Sequence, residues 1–290
     1  MGGGCVSSNF PFGQNTRPVS EGAGYAVAVT LRMLLPPAVG PARATARAEL
    51  LEQSLRLDLG EAVRAEVAAD YDELEERILK REPHIAWVPP NICGRLWSEM
   101  RVVYTIKRRG RTRYRSSIVV RRGTAQRLSD LRGRRAAWVE RSSVGGYLLA
   151  AAALAEAGLT GDADWPQSSF LGSYPAALRS VVGGTADVTA VMVHDDSPEA
   201  LRDVLELFGG RFAADRLVSL HTTRSVANDA VVLTRALSEQ VARQLSEDVF
   251  ERTDSRAHAV FCLALDAEGF ARASRSAYVP IGRLSEPPSP

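Results

Sequence analysis

A chain of 290 residues with 45% hydrophobic and 24% charged residues and a formal net charge of +2 has the length of one large or two medium globular domains with a real core. These values exclude a peptide, a minimal zinc module, a disulfide mini-protein and a disordered chain. The charge is uneven: residues 101–135 hold 13 Lys or Arg against one acid, Asp130, so the rest of the chain is acidic.

Residues 1–24, rich in Gly, Ser, Asn and Pro, read as a disordered leader. The apolar run 26–35 is interrupted by Arg32 and too short to span a bilayer, so it reads as the first strand and no membrane insertion is expected. Residues 41–59 carry Leu50, Leu51 and Leu55 at helical spacing and stop at Gly60; 62–68 alternate as a strand. Asp70 is an N-cap for a helix through Arg81, with acids at Asp72, Glu73 and Glu75. A strand at 84–88 is stopped by Pro89 and Pro90, and a short helix covers 92–99. Two β-rich segments, 102–107 and 116–120, flank an Arg-rich turn at Gly110. Strands at 135–139, 168–171 and 186–193 then alternate with helices at 145–157, 175–182 and 198–208. Strands at 217–221 and 230–233, a helix at 238–250, and helical tail segments at 261–265 and 269–273 complete the chain. The alternation predicts an α/β fold with parallel sheets, whose ligands sit at the carboxyl ends of the strands.

Ser142-Ser143-Val144-Gly145-Gly146-Tyr147 follows a strand and opens a helix. It is either an anion site, with backbone N–H groups at the positive end of a helix, or an ordinary cap with flexible glycines. Neither G-x-x-x-x-G-K-[ST] nor G-x-G-x-x-G is present, which disfavours nucleotide phosphate chemistry. Cys5, Cys93 and Cys262 form no C-x-x-C pair and read as reduced thiols; His84, His194, His221 and His258 have no metal-ligand spacing, so no metal or cofactor is expected. His194-Asp195-Asp196 ends a strand, where active-site groups often lie, although a loop-satisfied histidine is the plainer reading. Cys93 with His84, or Ser143 with His194, stays open as a nucleophile pair without a G-x-S-x-G elbow to support it. The basic segment lacks a nucleic-acid motif and reads as a solvated Arg-rich turn that attracts anions at long range, with no nucleic-acid partner. Trp87, ahead of Pro89 and Pro90, either borders a ligand crevice or packs in the core.

Several stretches carry a resemblance by their order and spacing: Leu35-Pro36-Pro37; Asp70-Tyr71-Asp72-Glu73-Leu74; Ile85-Ala86-Trp87-Val88-Pro89-Pro90; 114–120; Leu128-Ser129-Asp130-Leu131-Arg132-Gly133; 143–149; Gly172-Ser173-Tyr174-Pro175-Ala176-Ala177-Leu178; Gly184-Thr185-Ala186-Asp187-Val188; and Asn228-Asp229. The chain resembles the substrate-binding proteins of phosphate, phosphite and phosphonate ABC transporters, within the type 2 periplasmic-binding-protein fold. The resemblance implies an α/β protein of two lobes with two crossovers, lobe one at 25–115 plus 222–290 and lobe two at 116–221, closing by a hinge around a small anionic or polar metabolite. It implies binding residues at Trp87, Ser142, Ser143, Gly145, Gly146, Tyr174, His194 and Asn228, no cofactor, and an ABC permease or a sensor kinase as partner.

In such proteins a Ser-Thr-Ser-Gly turn holds the oxyanion. Aligned on Gly146-Tyr147-Leu148-Leu149, its three hydroxyl positions fall on Ser143, Val144 and Gly145, and Tyr174 stands where relatives carry a histidine. Two hydroxyl donors, each worth ~1.5–3 kcal/mol toward a charged partner, are absent, which points to a less charged ligand. The alternative is a cytoplasmic enzyme or ligand sensor on the same fold, akin to thiamine-precursor or menaquinone-pathway proteins, with His194, Asp195 or Cys93 as acid, base or nucleophile. No export signal is visible, so the expected location is cytoplasmic as the sequence stands, and periplasmic if the true start lies upstream.

Overall fold

The computed structural model describes residues 30–37, 41–59, 63–160 and 164–285. The expected leader, Cys5, the first four residues of the expected opening strand and residue 62 lie outside them. The chain runs β1 (Leu31–Leu35), α1 (Pro41–Leu59), β2 (Val63–Val67), α2 (Tyr71–Leu79), β3 (Ile85–Val88), α3 (Pro90–Arg95) and β4 (Met100–Lys107). A second run holds β5 (Arg113–Arg121), β6 (Arg135–Trp138), α4 (Leu149–Glu156), β7 (Gln167–Phe170), α5 (Tyr174–Gly183), β8 (Val188–Val193), α6 (Pro198–Gly209), α7 (Arg211–Arg216), β9 (Leu217–Thr222) and β10 (Val226–Ala227). The last run holds β11 (Ala230–Thr234), α8 (Glu239–Leu245), α9 (Arg256–Leu265), β12 (Gly269–Arg272) and α10 (Arg275–Gly282).

Two six-stranded sheets result, one ordered β12-β4-β11-β3-β1-β2 and the other β10-β5-β8-β6-β7 with β9 also on β5. The chain passes between them at 108–112 and again at 228–229. Arg113–Arg121, Thr222 and Val226–Ala227 therefore lie on strands of the second sheet, a few residues away from the expected lobe boundaries at 115/116 and 221/222. The helix starts follow local chemistry: Asp70 Oδ1 accepts from Glu73 N at 2.7 Å, and Ser173, Ser197, Ser238 and Ser255 cap α5, α6, α8 and α9 in the same way. Each sheet is buried on both faces, by one cluster that includes Leu35, Leu51, Ile85 and Phe261 and another that includes Leu74, Ile78, Val88 and Ile92 in lobe one. In lobe two the corresponding clusters include Val119, Leu178 and Val191, and Ile118, Val120 and Leu154.

The expectation of parallel sheets is corrected to mixed ones. Parallel pairs join β1 to β2 and β3, and β6 to β7 and β8, but β11 is antiparallel to both β3 and β4, and β5 is antiparallel to β8. A strand entering its lobe from a crossover begins at the edge where the parallel strands end, so it must run back against them. The expected helix at 269–273 is instead β12, an edge strand in register with β4 (Gly269 opposite Lys107). Helices α7 and α10 are absent from the sequence reading; α10 contains Pro280. The basic segment is also more than a solvated turn. Arg108 is buried and donates from Nε and Nη2 to the carbonyls of Asp266 and Leu265 at 2.9 Å, closing the end of α9. Hydrogen bonds from Arg135, with Arg121 beside them, hold the Asp187 carboxyl down at about 2.

Candidate functional site

Between the lobes, at the ends of the parallel strands, lies a cleft of about 770 Å³. Its lobe-two wall is the turn after β6. Ser143 caps a π-helical turn, Val144–Leu148, that continues into α4, and its Oγ accepts from Gly146 N at 3.2 Å. Both glycines are dictated by close approach. A Cβ on Gly146 would stand 2.4 Å from Val139 Cγ2, and one on Gly145 would stand 2.8 Å from the Tyr174 hydroxyl and 3.1 Å from the Tyr114 ring. Tyr174 opens α5, Tyr71 opens α2, and Tyr114 lies early in β5; all three line the cleft. Burial pushes their phenols far above the ordinary value, partly offset at Tyr71 and Tyr174 by hydrogen bonds with Ser143, so they act as neutral donors.

The lobe-one wall is charged. The guanidinium carbons of Arg47, from α1, and Arg108 lie 5.1 and 5.7 Å from the Trp87 ring centroid. Trp87 Nε1 donates to Asp229 Oδ2 at 3.2 Å, and Arg108 Nη1 is 3.8 Å from the same oxygen. Burial raises the Asp229 carboxyl, against the pull of Arg108. His194, at the end of β8, is lowered to about 4 by burial and then by Arg108 and Arg109, so it is neutral at pH 7; its Nδ1 has no hydrogen-bond partner among the described residues. The lobes touch around the cleft through Tyr71 N to Glu140 Oε2 at 3.1 Å, Asn91 Nδ2 to Ser142 O at 2.8 Å and Arg43 Nη2 to Leu207 O at 3.0 Å.

Residues 33–278 match the sequence profile of the family described as "ABC transporter, phosphonate, periplasmic substrate-binding protein". The chain belongs to this family. No curated protein sequence matches it. Among solved structures it is similar to a binding-protein component of an ABC phosphonate transporter from Pseudomonas aeruginosa, with a TM-score of 0.74 and 15% identity over 88% of this chain and 85% of that one. A Prochlorococcus marinus protein solved with methylphosphonate has a TM-score of 0.72 and 16% identity, covering 88% and 96%. A Xanthomonas citri protein solved with ATP has a TM-score of 0.68 and 16% identity, covering 89% and 96%. The fold is thus the two-lobed periplasmic-binding-protein fold, and the chain is a solute-binding protein of the phosphonate transporter type, with a small-molecule ligand and an ABC permease as partner. Among the described residues no helix is long and apolar enough to cross a membrane.

In this substrate-binding protein, Trp87, Ser143, Gly145, Tyr174 and His194 all line the cleft, whereas Ser142, Gly146 and Asn228 do not. Ser142 meets lobe one through its carbonyl, and Gly146 packs on Val139. Asn228 is fully buried at the crossovers, where its Nδ2 donates to the carbonyls of Ile106 at 3.0 Å and Arg111 at 3.3 Å. The nucleophile pairs draw no support from the geometry. No hydrogen bond among the described residues joins Ser143 to His194 or Cys93 to His84; His84 Nδ1 accepts from Arg32 N at 3.1 Å, and burial pushes the Cys93 thiol far up. Asp195 is occupied at the start of α6, accepting from Ser197 N at 3.0 Å and Oγ at 2.5 Å. Among the described residues no cluster could hold a metal ion. Tyr71, Tyr114, Arg47, Arg108 and Asp229 also line the cleft and go unnamed as site residues in the sequence reading. For Tyr71 a signal exists: it follows the cap of a helix that follows a strand, the rim position of an α/β crevice.

Proposed function

We propose that this protein captures a small phosphonate-type oxyanion between its lobes and delivers it to an ABC permease from the periplasmic side. The oxyanion sits at the start of the π-helical turn, where it takes the free N–H groups of that helix end and the hydroxyls of Ser143, Tyr71, Tyr114 and Tyr174. The observation that carries this reading is the approach of Tyr174. Its hydroxyl comes within 2.8 Å of where a Gly145 Cβ would stand, so a phenol from α5 occupies the space of a hydroxyl on the turn itself. The two hydroxyls missing at Val144 and Gly145 are in this way replaced by tyrosines brought from other elements, which supply a charged oxyanion with the donors the turn lacks. Neutral donors suit an oxyanion, because each stabilises charge without a counter-ion to be desolvated. Asn228, tying both crossovers together, serves as the pivot on which the lobes close.

A thermal-shift panel of methylphosphonate, phosphite, phosphate and sulfate tests it. A ligand at a hundred times its Kd stabilises the fold by ~2.7 kcal/mol, and the shift is expected to disappear in Ser143→Ala/Tyr174→Phe. A panel without any shift, or a shift that survives the double substitution, overturns the reading.

A further inference from the structure

We infer that Arg47 and Arg108, both stacked over Trp87, form a second anion subsite in the same cleft, so that the ligand is two-ended, with an oxyanion at the Ser143 turn and a carboxylate or second phosphoryl group at the arginines. This deepens the proposed function and rests on it for the first end. Two observations carry it. Arg108 is 7% exposed and spends Nε and Nη2 on the carbonyls that end α9, yet its Nη1 has no hydrogen-bond partner among the described residues. Arg47 Nη1 is likewise buried without a partner. A buried guanidinium N–H is costly to leave unpaired, and two of them at one aromatic ring are costlier.

The carboxylates nearby do not discharge the pair: Asp266, also in the cleft, attracts Arg47 through space, but among the described residues its carboxylate accepts no hydrogen bond from either arginine, and Arg108 meets only its backbone carbonyl. Asp203 is bound to Arg109 at 2.5 Å, and Glu268 accepts from Gly110 N at 2.6 Å. Asp229 reaches Arg108 Nη1 only at 3.8 Å, beyond hydrogen-bond range, while it accepts from Trp87. Mutual repulsion is visible in Arg47, which burial and then Arg108 lower to about 10. The side chain remains charged at neutral pH, and an anion bridging the two guanidinium groups relieves both the burial and the repulsion. The size of the cleft agrees: about 770 Å³ holds far more than a single methylphosphonate.

Isothermal titration of the whole protein with methylphosphonate, with carboxyalkylphosphonates of increasing chain length, with alkylene diphosphonates and with uncharged alkylphosphonates of matched length decides the point. The best two-ended compound is expected to bind at least about tenfold tighter than its matched alkylphosphonate, the scale of one charge-assisted hydrogen bond. Arg47→Met, which removes the guanidinium group and keeps a long apolar side chain, is expected to abolish that advantage and leave methylphosphonate affinity within about twofold. Which of the two series gains more identifies the second group as carboxylate or phosphoryl. Methylphosphonate binding without any gain for a second charge, or a gain that survives Arg47→Met, overturns the subsite and leaves the Ser143 reading intact. Two-ended binding that is insensitive to Ser143→Ala but lost in Arg47→Met overturns the Ser143 reading alone. Failure of the whole series overturns both.

Discussion

The two walls of the cleft offer opposite means of holding an anion. Around the Ser143 turn, the start of a helix, Tyr114 and Tyr174 of lobe two and Tyr71 from lobe one present neutral dipoles, beside glycines that admit no side chain. On lobe one, Arg47, Arg108 and Asp229 place full charges around Trp87, with guanidinium groups left short of partners. The contrast teaches that preorganised dipoles read the shape of an oxyanion at little desolvation cost, whereas buried charges await a counter-charge to become stable. On the proposed reading, selectivity for the head group belongs to the first wall and selectivity for what is attached to it belongs to the second.

The comparison breaks first at the glycines. Gly146→Ala forces a methyl group to within 2.4 Å of Val139 Cγ2, and is expected to cost ~2–3 kcal/mol, read as a lowered Tm and a lost ligand response. Val139→Ala in the same chain is expected to restore part of it, because the Val139 Cβ at 2.7 Å remains. Next, Ser143→Ala removes both the cap of the turn and one donor. Calorimetry is expected to show methylphosphonate affinity weakened ~10- to 100-fold, the scale of a hydrogen bond to a charged group, with ~1 kcal/mol less stability from the cap. Tyr174→Phe sharpens the same wall, losing one hydroxyl with almost no change in packing, and is expected to weaken the head group about tenfold with little change in Tm.

The smallest effect concerns closure. Glu140, from the loop after β6, accepts from Tyr71 N across the lobe junction, and burial, reinforced by Asp70 and Asp72 against the pull of that N–H, raises its carboxyl to about 7. A carboxyl raised in the folded state favours that state when protonated, so this stabilisation is full below about 4.5 and is lost as pH rises through about 7. For a half-buried group the swing is ~1 kcal/mol. Melting curves between pH 5 and pH 8 are expected to fall more for the native protein than for Glu140→Gln; equal slopes would remove Glu140 from the junction's energetics.

Most elements were legible because their signals are local. Asp70 and Ser238 mark helix starts, Pro89 and Pro90 mark a strand end, and the structure places caps at both of those helices and α3 immediately after the strand. Residues 269–273 were not legible: a four-residue edge strand owes its conformation to pairing with β4, and nothing within Gly269–Arg272 specifies that. The same division runs through the cleft. Ser143, Gly145 and Gly146 lie in one motif between a strand and a helix, and Tyr174 lies beside its own cap at Ser173. The arginine wall is assembled from positions 47, 87, 108 and 229, and its meaning exists only once the second crossover has returned the chain to place β11 between β4 and β3. Asn228 shows the converse error of proximity: one residue from Asp229 in sequence, it faces the crossover backbone instead of the cleft.

A crystal structure of the protein with methylphosphonate tests the central claim most directly. The account predicts phosphonate oxygens within hydrogen-bond distance of Ser143 Oγ, the first N–H groups of the turn and at least one of the Tyr71, Tyr114 and Tyr174 hydroxyls, with the methyl group directed toward Arg47 and Arg108. A phosphonate seated on the two arginines, with the Ser143 turn left uncontacted, would contradict it.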